Sequence, residues 1–341
     1  MSSAADQPLF PPVREDWLAL RREAAIAPEL AIVDAHHHFS DRAAANYMLD
    51  ELLADMATGH RVAATVFLEG RMGDFGGDEL TRGVAETGIA AALSGLAQVR
   101  GVAGVAAAIV GNVDLTLGAR VEETLQAHIL AAAGRFRGVR QIAAWDASPK
   151  LNSPGLDIDP ALFARADFRE GFARLAPLGL SFDAWLYYPQ YRLLRDLAER
   201  FPDTRIILDF PVPLGIGGYR LGGAEEMRRW REAVASVARC PNIVAKIGGF
   251  GMGACGFRFT TQPEPPGSRR LAATIRPWFA EAFEAFGPAR CMIGSNFPVD
   301  KSSFGYVTFW NACKLLLAEF CPDEMKAVLA DNARRVYAID A

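Results

Sequence analysis

Leu30-Ala31-Ile32-Val33-Asp34-Ala35-His36-His37-His38-Phe39 begins as an apolar run and ends in three consecutive histidines. A run without polar alternation is the pattern of a strand covered on both faces, as in parallel sheets flanked by helices. Seven further β-rich apolar runs follow, at 62–68, 104–110, 136–142, 180–186, 205–210, 243–247 and 290–293. Helical patterns alternate with them, for example at 47–57, 120–132, 190–200, 225–238, 271–286 and 306–319. Val121, Leu125, His128 and Ile129 share one stripe at a period near 3.6. Pro202 and Pro241 stand just after helices and stop them.

Strict alternation of strand and helix implies a parallel sheet with right-handed crossovers. Eight such units favour closure into a barrel over an open sheet. No G-x-G-x-x-G follows the first strand, which argues against dinucleotide binding. The expected fold is α/β, a single-domain (β/α)8 TIM barrel over 29–341, with 1–28 as an N-terminal arm. Pro11-Pro12 and a helical stretch at 16–26 place that arm over the outside or the bottom of the barrel. Three strand-to-helix connections, 146–167, 211–223 and 251–268, are long and rich in Gly and Pro. Such loops shape a pocket, or serve contacts in a homo-oligomer.

The bulk composition narrows the functional classes. The 341 residues cover one barrel with insertions, and 51% hydrophobic against 22% charged residues supply a large core. The net charge of −4 is dispersed, without the Lys/Arg run that nucleic-acid binding needs. Arg228-Arg229 and Arg269-Arg270 read as solvated helix faces. Five cysteines, an odd number without CxxC, make neither a disulfide framework nor a zinc knuckle. The N-terminal MSSAADQPLFPPVRED has no signal-peptide core, and the apolar stretch 102–110 is too short for a bilayer. A cytoplasmic enzyme or binding protein for a small molecule is expected, with no membrane partner.

On a strand, residues two apart point the same way, so His36 and His38 converge in the barrel mouth. That is half of a metal site, or a hydrogen-bonded cluster without metal. His37 is expected to face the layer between barrel and helices. A catalytic divalent ion needs about three protein ligands and an open position. Of the two other histidines, His60 precedes the second strand and His128 lies on a helix. A third ligand is then a carboxylate, with Glu69, Asp146, Asp209 and Asp300 as candidates. The cofactor expectation is none, or one zinc or manganese ion on His36 and His38.

Further landmarks are Phe136-Arg137-Gly138-Val139-Arg140-Gln141, Leu180-Ser181-Phe182-Asp183, Ile207-Leu208-Asp209-Phe210, Val244-Ala245-Lys246-Ile247 and Gly294-Ser295-Asn296-Phe297-Pro298-Val299-Asp300-Lys301. With Asp34-Ala35-His36-His37-His38 they make the chain resemble the amidohydrolase-related barrel family, predicted metal-dependent hydrolases that include sugar-lactone lactonases and a pyrone-dicarboxylate lactonase. The resemblance runs from about Ile32 to Tyr337 and implies a hydrolase acting on a small lactone or related carbonyl compound. The chain departs from the family pattern at four places. Gln141 stands where Arg-His is usual, Tyr188 where Tyr-His-Pro is usual, Phe210 where Leu-Asp-His is usual, and Asn296 where the superfamily has Asp. A neutral amide is a poor zinc ligand and cannot act as a general base. Only His36 and His38 carry over as ligands.

Two arrangements of the remaining groups are open. His36, His38, Arg140, Lys246 and Asn296 can act as donors that polarise a carbonyl or hold a carboxylate. Alternatively, Arg140 and Lys246 form ion pairs in the mouth with Glu69 or Asp209. Tyr188 is a proton donor or a wall aromatic; Trp145, Trp185 and Phe210 offer apolar area for a flat substrate. The base is Glu69, Asp209, Asp300 or a neutral His38, with a histidine preferred because its usual pKa lies near neutrality. Asp300 can instead cap its loop and pair with Lys301. Beside hydrolysis stand a metal-free lyase, decarboxylase or isomerase relying on Tyr188 and Lys246, and a non-catalytic binding barrel.

Overall fold

A computed structural model describes residues 8–42, 46–72, 81 and 83–340. Eight parallel strands follow one another in chain order: β1 (Ala31–His37), β2 (Arg61–Leu68), β3 (Ala108–Asn112), β4 (Phe136–Arg140), β5 (Ser181–Ala184), β6 (Ile206–Asp209), β7 (Ile243–Ile247) and β8 (Cys291–Ile293). The ends of the sheet meet at a parallel bridge between His37 and Phe297, where His38 N donates to Phe297 O and Asn296 N to His36 O, each at 2.8 Å. The product is the (β/α)8 barrel expected from eight alternating units.

Each strand buries both faces. Ile32, Phe67, Ile109 and Ile206 point into the layer between barrel and helices. Val33, Val66, Val110 and Ile207 fill the barrel itself, joined by Ala333, Val336 and Tyr337 of the C-terminal helix. That double burial is why the sequence shows no polar alternation. The helices follow the 3.6 period: Tyr191–Arg200 buries Tyr191, Leu194, Leu197 and Ala198 and turns its arginines outward. Pro202 stands beyond its end, where the ring cannot continue the helix.

β1 contains the irregularity that builds the mouth. Its register against β2 slips between Asp34 and His37. An inserted residue of this kind re-aims the side chains around it. Asp34 turns outward, accepting from Ser295 N at 2.8 Å and Tyr306 Oη at 2.9 Å, while His36 turns into the barrel. His37 packs among Phe39, Phe67 and Thr65 in the outer layer.

Sequence reasoning places the arm on the outside or the bottom; residues 8–13 instead cross the mouth. Gly253 N donates to Leu9 O at 3.1 Å, Arg14 Nη2 to Thr260 O at 2.7 Å and Trp17 Nε1 to Gln262 O at 3.1 Å. The 251–268 loop after β7 thus offers the arm both backbone partners and an apolar seat for buried Leu9 and Trp17. Among the described residues, no helix is long and apolar enough to cross a membrane.

Candidate active site

The mouth of the barrel holds two buried polar assemblies. In the first, His38 Nδ1 lies 2.9 Å from Leu68 O, and His38 Nε2 lies 3.1 Å from His36 Nε2. A carbonyl only accepts, so Nδ1 of His38 carries the proton and its Nε2 carries a lone pair. His36 Nε2 is then the donor, which leaves His36 Nδ1 as acceptor for Lys246 Nζ at 3.4 Å. Burial, reinforced by the charges of Lys246 and Arg140, holds His36 well below the usual histidine range. Burial followed by the neighbouring His36 and Arg140 does the same to His38. Both imidazoles are neutral at pH 7.

Lys246 is itself held by carboxylates, with Nζ 2.5 Å from Asp183 Oδ1 and 2.9 Å from Asp209 Oδ1. Tyr337 Oη donates to Asp183 Oδ1 at 2.6 Å from below. Burial pushes the Asp183 carboxyl up to about 6 against the pull of Lys246.

The second assembly is Glu69 with Arg140. Arg140 Nε donates to Glu69 Oε1 at 2.7 Å, and Nη2 donates to the Glu69 carbonyl. Nη1 is left over, with Asp209 Oδ2 3.9 Å away. Glu69 Oε2 is buried without a hydrogen-bond partner. Burial raises the Glu69 carboxyl, with Arg140 pulling the other way.

Both assemblies open on a cavity of about 420 Å³. His38, Glu69, Arg140, Asn296, Trp185 and Phe210 line it. Asn296 and Phe210 both take left-handed backbone, at φ 58° and 59°. Asn adopts that region readily; for Phe it costs about 1–3 kcal/mol, a strain common at functional sites. The turn sets the Phe210 ring against His36, with centroids 4.6 Å apart.

Other expected site residues stand back from the cavity. Asp300 lies behind Asn296, accepting from Asn296 Nδ2 at 2.8 Å and Gly251 N at 2.9 Å. It does not pair with Lys301, whose Nζ meets Asp55 and Glu15. Burial pushes the Asp300 carboxyl up to about 7. Asp209 and Lys246 form the floor beneath the histidines. Tyr188 and Trp145 do not line the cavity. Tyr188 donates to Glu226 at 2.6 Å, and burial followed by that carboxylate raises its phenol. Trp145 sits where its backbone N–H meets Gln190. His60 contacts Lys314 near the barrel base, and His128 contacts Thr87.

The cavity also gathers residues that sequence reasoning missed: Arg42, Arg71 and the arm segment Phe10-Pro11-Pro12-Val13. Arg42 and Arg71 follow the ends of β1 and β2, the loop positions where barrels keep their sites, and that position was the available signal. Nothing local marked the arm.

The comparisons with known proteins give the family and the fold. The sequence model of the amidohydrolase family matches residues 33–339. The chain belongs to the amidohydrolase family. A relative in Sinorhizobium fredii, the "Uncharacterized protein y4mH", is 32% identical over 336 residues, covering 91% of this chain and 99% of that protein. L-fucono-1,5-lactonase of Burkholderia multivorans is 26% identical over 184 residues, 51% of this chain and 56% of the lactonase. A Burkholderia multivorans amidohydrolase crystallised with bound zinc superposes with a TM-score of 0.68 at 22% identity, over 91% of this chain and 100% of that one. A putative 2-pyrone-4,6-dicarboxylic acid hydrolase from Pseudomonas putida gives 0.63 at 16% identity, over 92% and 99%.

Zinc in one relative's crystal raises the question of whether this amidohydrolase's donors fit such an ion. His36 and His38 converge as two ligands would. The nearby carboxylates Asp209 and Glu69 already face Lys246 and Arg140, whose positive charges would repel an added cation. Asn296 presents an amide. Among the described residues, no group of three or more His, Cys, Asp or Glu side chains stands together to hold an ion. The donor set does not fit a divalent site with three protein ligands.

Proposed function

We propose that this amidohydrolase is a hydrolase that opens a small lactone carrying a carboxylate, using its own side chains for the chemistry. The observation that carries the reading is the pairing of Glu69 and Arg140 on the cavity wall, with one Glu69 oxygen unpartnered and one guanidinium nitrogen uncommitted to it. A partly neutralised carboxylate in a buried setting is a suitable base for water. The Arg140 Nη1 group is a suitable donor for an oxyanion.

Water held at Glu69 Oε2 adds to the lactone carbonyl carbon and gives its proton to the carboxylate. Arg140 and the amide of Asn296 stabilise the tetrahedral oxyanion. The ring C–O bond then breaks, and the leaving oxygen takes the proton from Glu69. The product is an open hydroxy acid, so lactone and water balance. The imidazole pair holds the floor of the site in a neutral, directed form. This makes Glu69 the base in preference to a histidine, because the His38 lone pair already accepts from His36. Arg42 and Arg71 supply positive charge for a substrate carboxylate. The lactonase relative supports the reaction class. A lyase or isomerase reading leans on Tyr188 and Lys246, and neither side chain lines the cavity.

The test is ring opening of a panel of carboxylated lactones, followed by proton release with a pH indicator. Turnover by the wild type and a loss on the order of 10²–10⁴-fold in Glu69→Gln are expected. Binding without turnover across the panel, or full activity in Glu69→Gln, would overturn the proposal.

A further inference from the structure

We propose that the arm segment 10–13 is part of the substrate site, and that Phe10, with Trp185, selects substrates whose carboxylate is attached to a flat apolar ring. The inference rests on the anion-binding reading of the cavity given above.

Three observations carry it. First, the segment is held on both sides of Phe10. Upstream, Leu9 is buried and its carbonyl accepts from Gly253 N. A Cβ at Gly253 would stand 2.1 Å from the Pro8 carbonyl oxygen, so the strap passes where only glycine leaves room. Downstream, Arg14 stacks over Trp17 at 4.5 Å and both donate to the 251–268 loop. Pro11 and Pro12 stiffen the span between these anchors.

Second, Phe10 keeps 41% of its surface exposed at the cavity while its neighbours are pinned. Its ring lies 6.5 Å from that of Trp185, tilted by 53°. That separation is near the upper end for an aromatic pair, so Phe10 keeps ring surface for a third flat group beside the edge that the buried Trp185 contributes to the lining. An apolar side chain presented to a concave site is a recognition feature.

Third, the cavity is two-sided in barrel order. Its charged groups come from the ends of β1, β2 and β4, as Arg42, Glu69, Arg71 and Arg140. The ends of β5, β6 and β7 contribute Trp185, Phe210 and Met252, and the strap adds Phe10 to the apolar lining. Hydroxyl groups placed against these four side chains, away from Asn296 and Ser153 at the edges of the lining, would lose water without gaining partners, which costs binding. The site therefore favours a flat ring acid over a polyhydroxylated sugar acid.

The test uses the full chain and isothermal titration calorimetry with three probes: 2-naphthoate, its neutral analogue 2-naphthalenemethanol, and gluconate. Binding of 2-naphthoate at least tenfold tighter than gluconate is expected. Phe10→Ala should weaken 2-naphthoate about tenfold, and Phe10→Trp should restore it. Phe10 is partly exposed, so truncation opens no core cavity; circular dichroism of the variants checks the fold. Equal 2-naphthoate affinity in wild type and Phe10→Ala, gluconate binding as tight as 2-naphthoate, or no binding of either naphthyl probe would overturn the inference. Equal binding of the neutral and charged naphthyl probes, with both weakened by Phe10→Ala, would instead overturn the anion-binding reading and leave the role of the strap standing.

Discussion

Lys246 Nζ and Asp183 Oδ1 lie 2.5 Å apart inside the barrel, both side chains fully buried. The same ammonium reaches Asp209 at 2.9 Å and His36 at 3.4 Å, so one cation ties the barrel axis to the imidazole pair of the mouth. Removing it leaves Asp183 with the Tyr337 hydroxyl and Asp209 with Arg140 at 3.9 Å, two buried carboxylates without their shared cation. Lys246→Met is expected to cost about 3–5 kcal/mol of stability, read from the urea midpoint. A variant as stable as the wild type would show that Asp183 and Asp209 do not depend on the Lys246 charge for their burial.

Arg140 offers a fixed fork: two nitrogens hold Glu69, and the third faces Asp209 Oδ2 at 3.9 Å without a hydrogen bond to Glu69. Lysine brings a point charge in place of that geometry. In Arg140→Lys, kcat should fall on the order of 10²-fold on a substrate the wild type turns over. An unchanged kcat with raised KM would reassign Arg140 to ground-state binding.

The Asp300 carboxyl, pushed up to about 7, is protonated in the fold at pH values where the unfolded chain has ionised at its ordinary 3.8. The folded state then binds more protons across that window, so this group's contribution to stability falls as pH rises towards 7. Asp300→Asn removes the titration. The denaturation midpoint of the variant should decline less than that of the wild type between pH 5 and pH 7. Parallel declines would contradict the assignment.

Gly253→Ala places a methyl group against the Pro8 carbonyl. Relief requires moving the strap, at about 1–3 kcal/mol. The expected outcome is a raised KM with little change in kcat, measured alongside thermal stability.

His36 and His38 provide two converging nitrogens, and their carboxylate neighbours face cations. Dialysis against a chelator, with metal content followed by elemental mass spectrometry, is expected to leave turnover unchanged. A rate that disappears and returns with zinc would require Asp209 or Glu69 to leave its cation and become a ligand.

The barrel was legible because its signals are local. Eight doubly covered strands must each be apolar over a short run, and each helix must carry its own stripe. The histidine cluster was equally plain, since a strand end in a barrel faces the mouth. The opposite aims of Asp34 and His36, two residues apart, were not legible, because alternation holds only for a regular strand and β1 slips in register. The partners of Glu69, Lys246 and Asp300 could be narrowed to a few charges but not chosen. An ion pair is decided by distances between strand ends far apart in the chain.

Sequence alone therefore determined the alternating architecture and the identity of the polar groups at the strand ends. Each follows from residue type and local period. Only the tertiary structure decided that Arg140 takes Glu69, that Lys246 takes Asp183 and Asp209, that Tyr188 stands away from the cavity, and that Phe10 returns to line it. Those outcomes depend on closing the barrel, which fixes contacts that no local preference encodes.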